Sequence, residues 1–233
     1  MLGIADDSPL AIYDSEFGDK TSPTHELIME YHNPLCFSKD LFDYADLVSS
    51  NHNEIGSRRP PWRWILIGPE RSGTGLHIDP LWTNAWVTVL QGRKRWILFP
   101  PNTPQEKIGM IQSQIPSVIW FQQYYDLVMD DEWPEEWKPI EILQEAGETV
   151  FVPQGWPHLV LNLELTVAVT HNYASEFGHF ERMCKQVILD EPDFARLWYQ
   201  GLCISRPDLA ERLKRYHEQE VDHNEKWAKE WSL

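Results

Sequence analysis

The chain has 233 residues, 42% of them hydrophobic, enough for one domain with a real core or one domain with a small appendage. Its formal net charge of −16 argues against nucleic-acid binding, which depends on Lys and Arg neutralising phosphates, and favours basic partners instead. The three scattered cysteines, Cys36, Cys184 and Cys203, argue against a disulfide framework or zinc ribbon and for a reducing compartment, and no apolar run reads as a signal peptide or approaches the ~18 residues of a membrane span.

Residues 9–13 read as a short strand, and 25–31 and 40–47 as short helices, the second capped by Ser38. The polar stretch 51–61 ends in Arg58-Arg59-Pro60-Pro61 and reads as a loop. From Trp62 the texture changes. Residues 62–67, 84–91 and 94–99 are rich in Trp, Val, Ile and Phe and predict strands, with Gly92-Arg93 closing the last two into a hairpin. Residues 102–139 read as a long insertion of short helical pieces with an acidic, Trp-rich stretch over 130–137, and such excursions often cover binding sites. Strand character returns at 149–152, 158–161 and 166–172, separated by turns at 153–155 and 162–164. After Ser175 the pattern is helical: 177–189, 194–202, and a last helix opened by Ser205-Arg206-Pro207-Asp208 and running to about Trp231. The 17 prolines suit a turn-rich β fold, so a mainly β sandwich or barrel with a C-terminal helical extension is expected.

His77-Ile78-Asp79 carries the chemical signal. On an extended segment, residues two apart point the same way, so His77 and Asp79 converge while Ile78 packs behind. A third ligand from a distant strand completes a facial triad, and His158, opening the strand after a Gly/Pro-rich turn, is the best candidate. Two His and one carboxylate on one face leave the opposite positions open, as non-haem Fe(II) oxygenases require. A His-x-Asp pair also occurs as a hydrogen-bonded surface pair, so more is needed. Lys94 sits in the apolar strand RKRWILF; pointing inward it needs an anion, and the distal carboxylate of 2-oxoglutarate supplies one. A snorkelling Lys94 on an outer face is the alternative. Thr74 and Thr170 are candidate hydroxyl donors to that carboxylate; Thr170 shares a strand face with Thr166, Ala168 and Asn172, which is small and polar as a ligand cavity requires. Asn172 is placed near the iron or in a strand-end hydrogen bond.

Three stretches in order carry a family resemblance: DDSPLAIYDSEFG, RRPPWRWILIGPERSGTGLHIDPLWTNAWVTVLQGRKRWILFPP and GETVFVPQGWPHLVLNLELTVAVTHNYAS. Together they resemble the phosphatidylserine-receptor-like branch of the JmjC family, that of the bifunctional arginine demethylase and lysyl hydroxylase and of F-box proteins with a similar module. The resemblance covers roughly residues 6–175. It implies a double-stranded β-helix of the jelly-roll (cupin) class with flanking helices, a catalytic module over 1–188 and a helical extension over 189–233. It implies Fe(II) on His77, Asp79 and His158, and 2-oxoglutarate at Lys94, Thr74 and Thr170, with Asn162 a nearby polar position. With O2 as oxidant, the implied reaction is hydroxylation of protein side chains, lysine first, with N-methylarginine demethylation beside it. The branch has Asn where this chain has Val87, a Tyr reaching the distal carboxylate where it has Ala11, and Gly where it has Trp82. The alternative function is a non-catalytic module that recruits a protein. The expected substrate is a basic, Lys/Arg-rich protein, received by Asp130, Asp131, Glu132, Glu135 and Glu136 beside a Trp-lined wall over 120–137. No direct nucleic-acid or membrane partner is expected. The resemblance also implies a nuclear, or else cytoplasmic, location. Leu209, Leu213 and Tyr216 at helical spacing are either a dimer face, as the resemblance implies, or packed on their own domain.

Overall fold

β-branched and aromatic residues at alternate positions become strands in the computed structural model, which describes residues 6–48, 59–110 and 115–221. Two units follow, one β-rich and one helical.

The β-rich unit takes in residues 1–32, 63–79 and 84–172. Its strands are β1 (Ile12–Asp14), β2 (Arg63–Gly68), β3 (Gly73–His77), β4 (Asn84–Gln91), β5 (Lys94–Leu98), β6 (Ile140–Gln144), β7 (Thr149–Val152), β8 (His158–Asn162) and β9 (Thr166–Tyr173). They form a five-stranded sheet in the order β1-β2-β9-β4-β7 and a four-stranded sheet in the order β3-β8-β5-β6. From β2 onward the chain changes sheet at nearly every connection, and only β5 and β6 are consecutive in one sheet. This alternation winds the two sheets into the double-stranded β-helix expected from the sequence. The expected hairpin at Gly92-Arg93 is corrected: β4 pairs with β7, and β5 pairs with β6 and β8. Gly92, at φ 84, carries the chain from one sheet to the other; a Cβ there would lie 2.4 Å from Leu165 O.

Ala85, Val87, Val89, Val150, Val152 and Ala168 from one sheet meet Trp96, Leu98 and Val160 from the other, and this apolar contact stacks the sheets. The opposite face of the four-stranded sheet presents Ile97, Phe99 and Leu159, which must also be covered. The insertion covers it: α1 (Ser117–Val128) brings Trp120 and Val128, and the loop beyond brings Trp133, with Trp137 packed beside them. Trp120 and Trp133 are buried core, so the expected Trp-lined substrate wall is corrected. The acidic residues of that loop, Asp130, Asp131, Glu132, Glu135 and Glu136, stay exposed.

The helical unit takes in residues 33–62, 80–83 and 173–233. It contains the 3-10 helix Leu41–Leu47 and α2 (Phe180–Asp190), α3 (Pro192–Ser205) and α4 (Pro207–Val221). The cap of the 3-10 helix is Asp40 rather than Ser38: one carboxylate oxygen accepts from Phe42 N–H (3.0 Å) and from Ala174 N–H (2.9 Å). Phe42 meets Phe194 and Trp198 edge-on, and the Trp198 indole N–H donates to Leu41 O at 2.8 Å. Leu209 and Leu213 are buried in this core with Tyr216 against it, so the stripe on α4 packs within its own chain. The expected extension of that helix to Trp231 lies outside the described residues, as does most of the 51–61 loop. Leu81 (φ 56) and Trp82 (φ 54) adopt left-handed backbone that favours glycine, and the Trp82 ring lies 4.7 Å from the Arg182 guanidinium.

Candidate metal and co-substrate site

Three inward-facing side chains meet at one end of the four-stranded sheet. His77 ends β3 and His158 opens the neighbouring β8, directly opposite in the register. Between Thr74 and His77 the register slips, because β3 advances three residues while β8 advances two. The bulge lets Thr74 and His77 face the same way, which strict alternation forbids. Asp79 follows two residues after His77. Donor atoms of His77, Asp79 and His158 all lie within 4.8 Å of one another, and Asp79 Oδ1 is 3.8 Å from His77 Nε2 and 4.0 Å from His158 Nε2.

The tautomers favour a metal. His77 Nδ1 is 2.8 Å from Gly75 O and His158 Nδ1 is 2.9 Å from Trp156 O. A carbonyl can only accept, so each Nδ1 carries the proton and each Nε2 turns a lone pair toward Asp79. Burial first, and then the neighbouring His77 imidazole, pushes the His158 proton affinity down to about 4, so its ring is neutral near pH 7. Asp79 Oδ2 is buried with no hydrogen-bond partner among the described residues, an orphan that a divalent cation would satisfy. The residues therefore fit a cation held by two imidazoles and a carboxylate.

Four residues further along β8, ~13 Å of strand, stands Asn162, paired in the register with Lys94 of β5. Lys94 points inward at 4% exposure, so the snorkelling alternative is excluded. Its ammonium donates to Asn162 Oδ1 at 2.8 Å. Burial alone brings its pKa down to about 8, the mark of a buried cation that no carboxylate among the described residues balances. Thr74 lies between the two ends of the site, opposite Val160 on β8. Thr170 is buried on β9, in the other sheet, opposite Trp64. Asn172 is buried on the same strand face.

The positions that depart from the family pattern also find their places. Val87 is buried in the contact between the sheets. The Ala11 methyl lies 3.2 Å from where a Cβ on Gly68 would sit, next to the Asn162 amide. Tyr13, two residues on from Ala11 in β1, donates its hydroxyl to Gly73 O at 2.7 Å and lies 3.4 Å from Thr74 Oγ1. The sequence reading missed Tyr13, Ser72 and Gly68. Period-two alternation from Ala11 was the signal available for Tyr13; nothing local marks the other two.

Residues 64–173 match the family described as JmjC domain, hydroxylase. Over 219 residues, 92% of this chain, the sequence is 42% identical to the bifunctional arginine demethylase and lysyl-hydroxylase psr-1 of Caenorhabditis elegans, covering 52% of that protein. It is 40% identical over 179 residues to the arginine-specific demethylase JMJ22 of Arabidopsis thaliana, covering 74% of this chain and 32% of that one. It is 32% identical over 146 residues to the 2-oxoglutarate and iron-dependent oxygenase JMJD4 of Gallus gallus, covering 62% of this chain and 32% of that one. The chain thus spans about half the length of psr-1 and less of the other two.

Proposed function

We propose, from the match of residues 64–173 to the JmjC domain family, that this chain is an Fe(II)- and 2-oxoglutarate-dependent oxygenase that hydroxylates protein side chains, lysine first. The observation that carries this reading is the convergence of His77, Asp79 and His158, with the buried Lys94 cation further along the same sheet face. When bound, Fe(II) would supply O2 activation, with one oxygen atom going to a substrate C–H bond as 2-oxoglutarate becomes succinate and CO2.

The chain's own groups account for the rest. The Nε2 lone pairs of His77 and His158 and the Asp79 carboxylate would hold the metal. Lys94 would pair with the distal carboxylate of 2-oxoglutarate, and Thr74 and Thr170 would offer hydroxyl donors along its length. Trp96, Val160 and the Val side chains of β4 and β7 keep water from the space between the sheets, which strengthens each charge interaction there. A basic protein substrate is supported by the net charge of −16 and by the exposed acidic loop over 130–136. Lysyl hydroxylation and N-methylarginine demethylation both begin by hydroxylating a carbon, and psr-1 is described as a bifunctional arginine demethylase and lysyl-hydroxylase.

The test is succinate formation by purified, Fe(II)-loaded protein, with Lys/Arg-rich peptides followed by mass spectrometry for the gain of one oxygen. His77→Ala should abolish both signals. A folded, metal-loaded protein that neither binds nor turns over 2-oxoglutarate would leave the recruiting-module reading, which the apolar Val87 favours.

A further inference from the structure

The polar cluster around Lys94 runs in one direction, and its far end lies outside the residues assigned so far. A lysine ammonium can only donate, so Asn162 must turn Oδ1 toward it and its NH2 away. That NH2 donates to Ser72 Oγ at 2.9 Å. The Ser72 hydroxyl proton is committed in turn to Pro69 O at 2.5 Å, which leaves the Ser72 oxygen free to accept. Ser72, Asn162 and Lys94 are all buried. Backbone bonds tie Asn162 to the same turn: Arg71 N–H donates to Asn162 O (2.9 Å), and Asn162 N–H donates to Ser72 O (2.8 Å). The turn holds Arg71 at φ 70, a conformation non-glycine residues seldom adopt, with its guanidinium paired to Asp7. Gly68 makes the room. A Cβ there would sit 2.4 Å from Ser72 Oγ and 2.8 Å from Asn162 Nδ2, inside normal contact distance.

We propose that Ser72 and Gly68 are positioning residues for the co-substrate: acting through Asn162, they aim the Lys94 ammonium at the distal carboxylate of 2-oxoglutarate. The proposal rests on the oxygenase reading of the site. Of the three donors on Lys94, Asn162 occupies one and leaves two for a carboxylate. Without the Ser72 oxygen the Asn162 amide loses the partner that holds its plane, and Lys94 loses a fixed anchor.

Two ligands separate this role from a general loosening of the fold. 2-Oxoglutarate and 2-oxobutanoate share the keto-acid end, but only the first has a distal carboxylate. Calorimetry under anaerobic conditions on Mn(II)-loaded protein reads both affinities without turnover. The wild-type protein should prefer 2-oxoglutarate. Ser72→Ala should weaken 2-oxoglutarate about 3- to 10-fold, the net worth of one hydrogen bond, and leave 2-oxobutanoate unchanged. Gly68→Ala should move the same preference further, and Ser72→Ala carries the test alone if Gly68→Ala does not fold. Equal weakening of both acids, or an unchanged preference, overturns the proposal. A wild-type protein that does not distinguish the two acids refutes the oxygenase reading, and the proposal falls with it.

Discussion

Replacing Lys94 with methionine should stabilise the ligand-free protein while removing its grip on a dicarboxylate. Burial brings the Lys94 pKa from 10.5 down to about 8. At about 1.4 kcal/mol per tenfold, holding that charge inside costs ~3 kcal/mol at pH 7. Methionine removes this cost, but it leaves Asn162 Oδ1 unpaired, a loss of ~1–2 kcal/mol. The net gain should be about 1–2 kcal/mol. The sign with pH follows from linkage. Unfolded lysine stays protonated up to about 10.5 and the folded residue only up to about 8. Between those values the folded state binds fewer protons, so rising pH favours it. The penalty is complete below about pH 8 and fades above it, to less than ~1 kcal/mol at pH 10. Urea unfolding of metal-free wild-type and Lys94→Met protein at pH 7 and pH 10 measures this directly. The variant should be the more stable at pH 7, and should lose that advantage or become the less stable at pH 10. A variant less stable than wild type by the same amount at both pH values would refute the claim that Lys94 is a buried, unbalanced cation.

Gln144 is fully buried, accepts from the Trp96 indole N–H and donates to Val87 O and Glu148 O, all at 2.8–2.9 Å. Gln144→Leu leaves the buried Trp96 indole N–H without its acceptor and takes one donor from Val87 O, while Glu148 O keeps its bond from Val89 N–H (3.2 Å); it should cost about 2–4 kcal/mol in chemical denaturation, and a loss under ~1 kcal/mol would mean that water replaces the amide. In the helical unit, a Cβ on Gly201 would sit 1.8 Å from Tyr44 O. Gly201→Ala should therefore lower the melting temperature sharply, by about 3 kcal/mol or more in stability, and an unchanged melt would show that α3 can move away from the 3-10 helix without penalty.

Much of the β unit was legible because its strands alternate. Residues 84–91 and 149–152 form strands over the expected ranges, since Val, Trp, Phe and Thr at those positions suit a half-buried pleat. Pairing partners were not legible. Gly92-Arg93 looks like a hairpin turn locally, and only the need to close a second sheet directs β5 away from β4. β3, with the sequence GTGLH, has Thr74 as its one β-branched residue, and its glycines are there for close approach. A Cβ on Gly73 would lie 2.0 Å from Val160 O, and one on Gly75 would lie 2.7 Å from Ile115 O. The triad and Lys94 could be nominated from spacing and chemistry alone. Ser72 and Gly68 could not, because their partner Asn162 is 90 residues from Ser72 and meets it only once the sheets have formed. The Trp-rich insertion misled because aromatic residues suit a binding wall and a core equally well, and burial decides between them.

The extra residue that β3 carries between Thr74 and His77 ties the site to a backbone irregularity that composition does not reveal. Exchanging Leu76 for another residue leaves the count intact, so both flanking side chains keep their common side as long as the pairing keeps its slip. Removing one residue would leave the hydroxyl and the imidazole two apart, matching the two-residue advance of β8, and plain odd-even order would then hold them together. Straightening the strand at its present length is what would turn one of them away, so the uneven pairing over 74–77 is as much a part of the site as the side chains it carries.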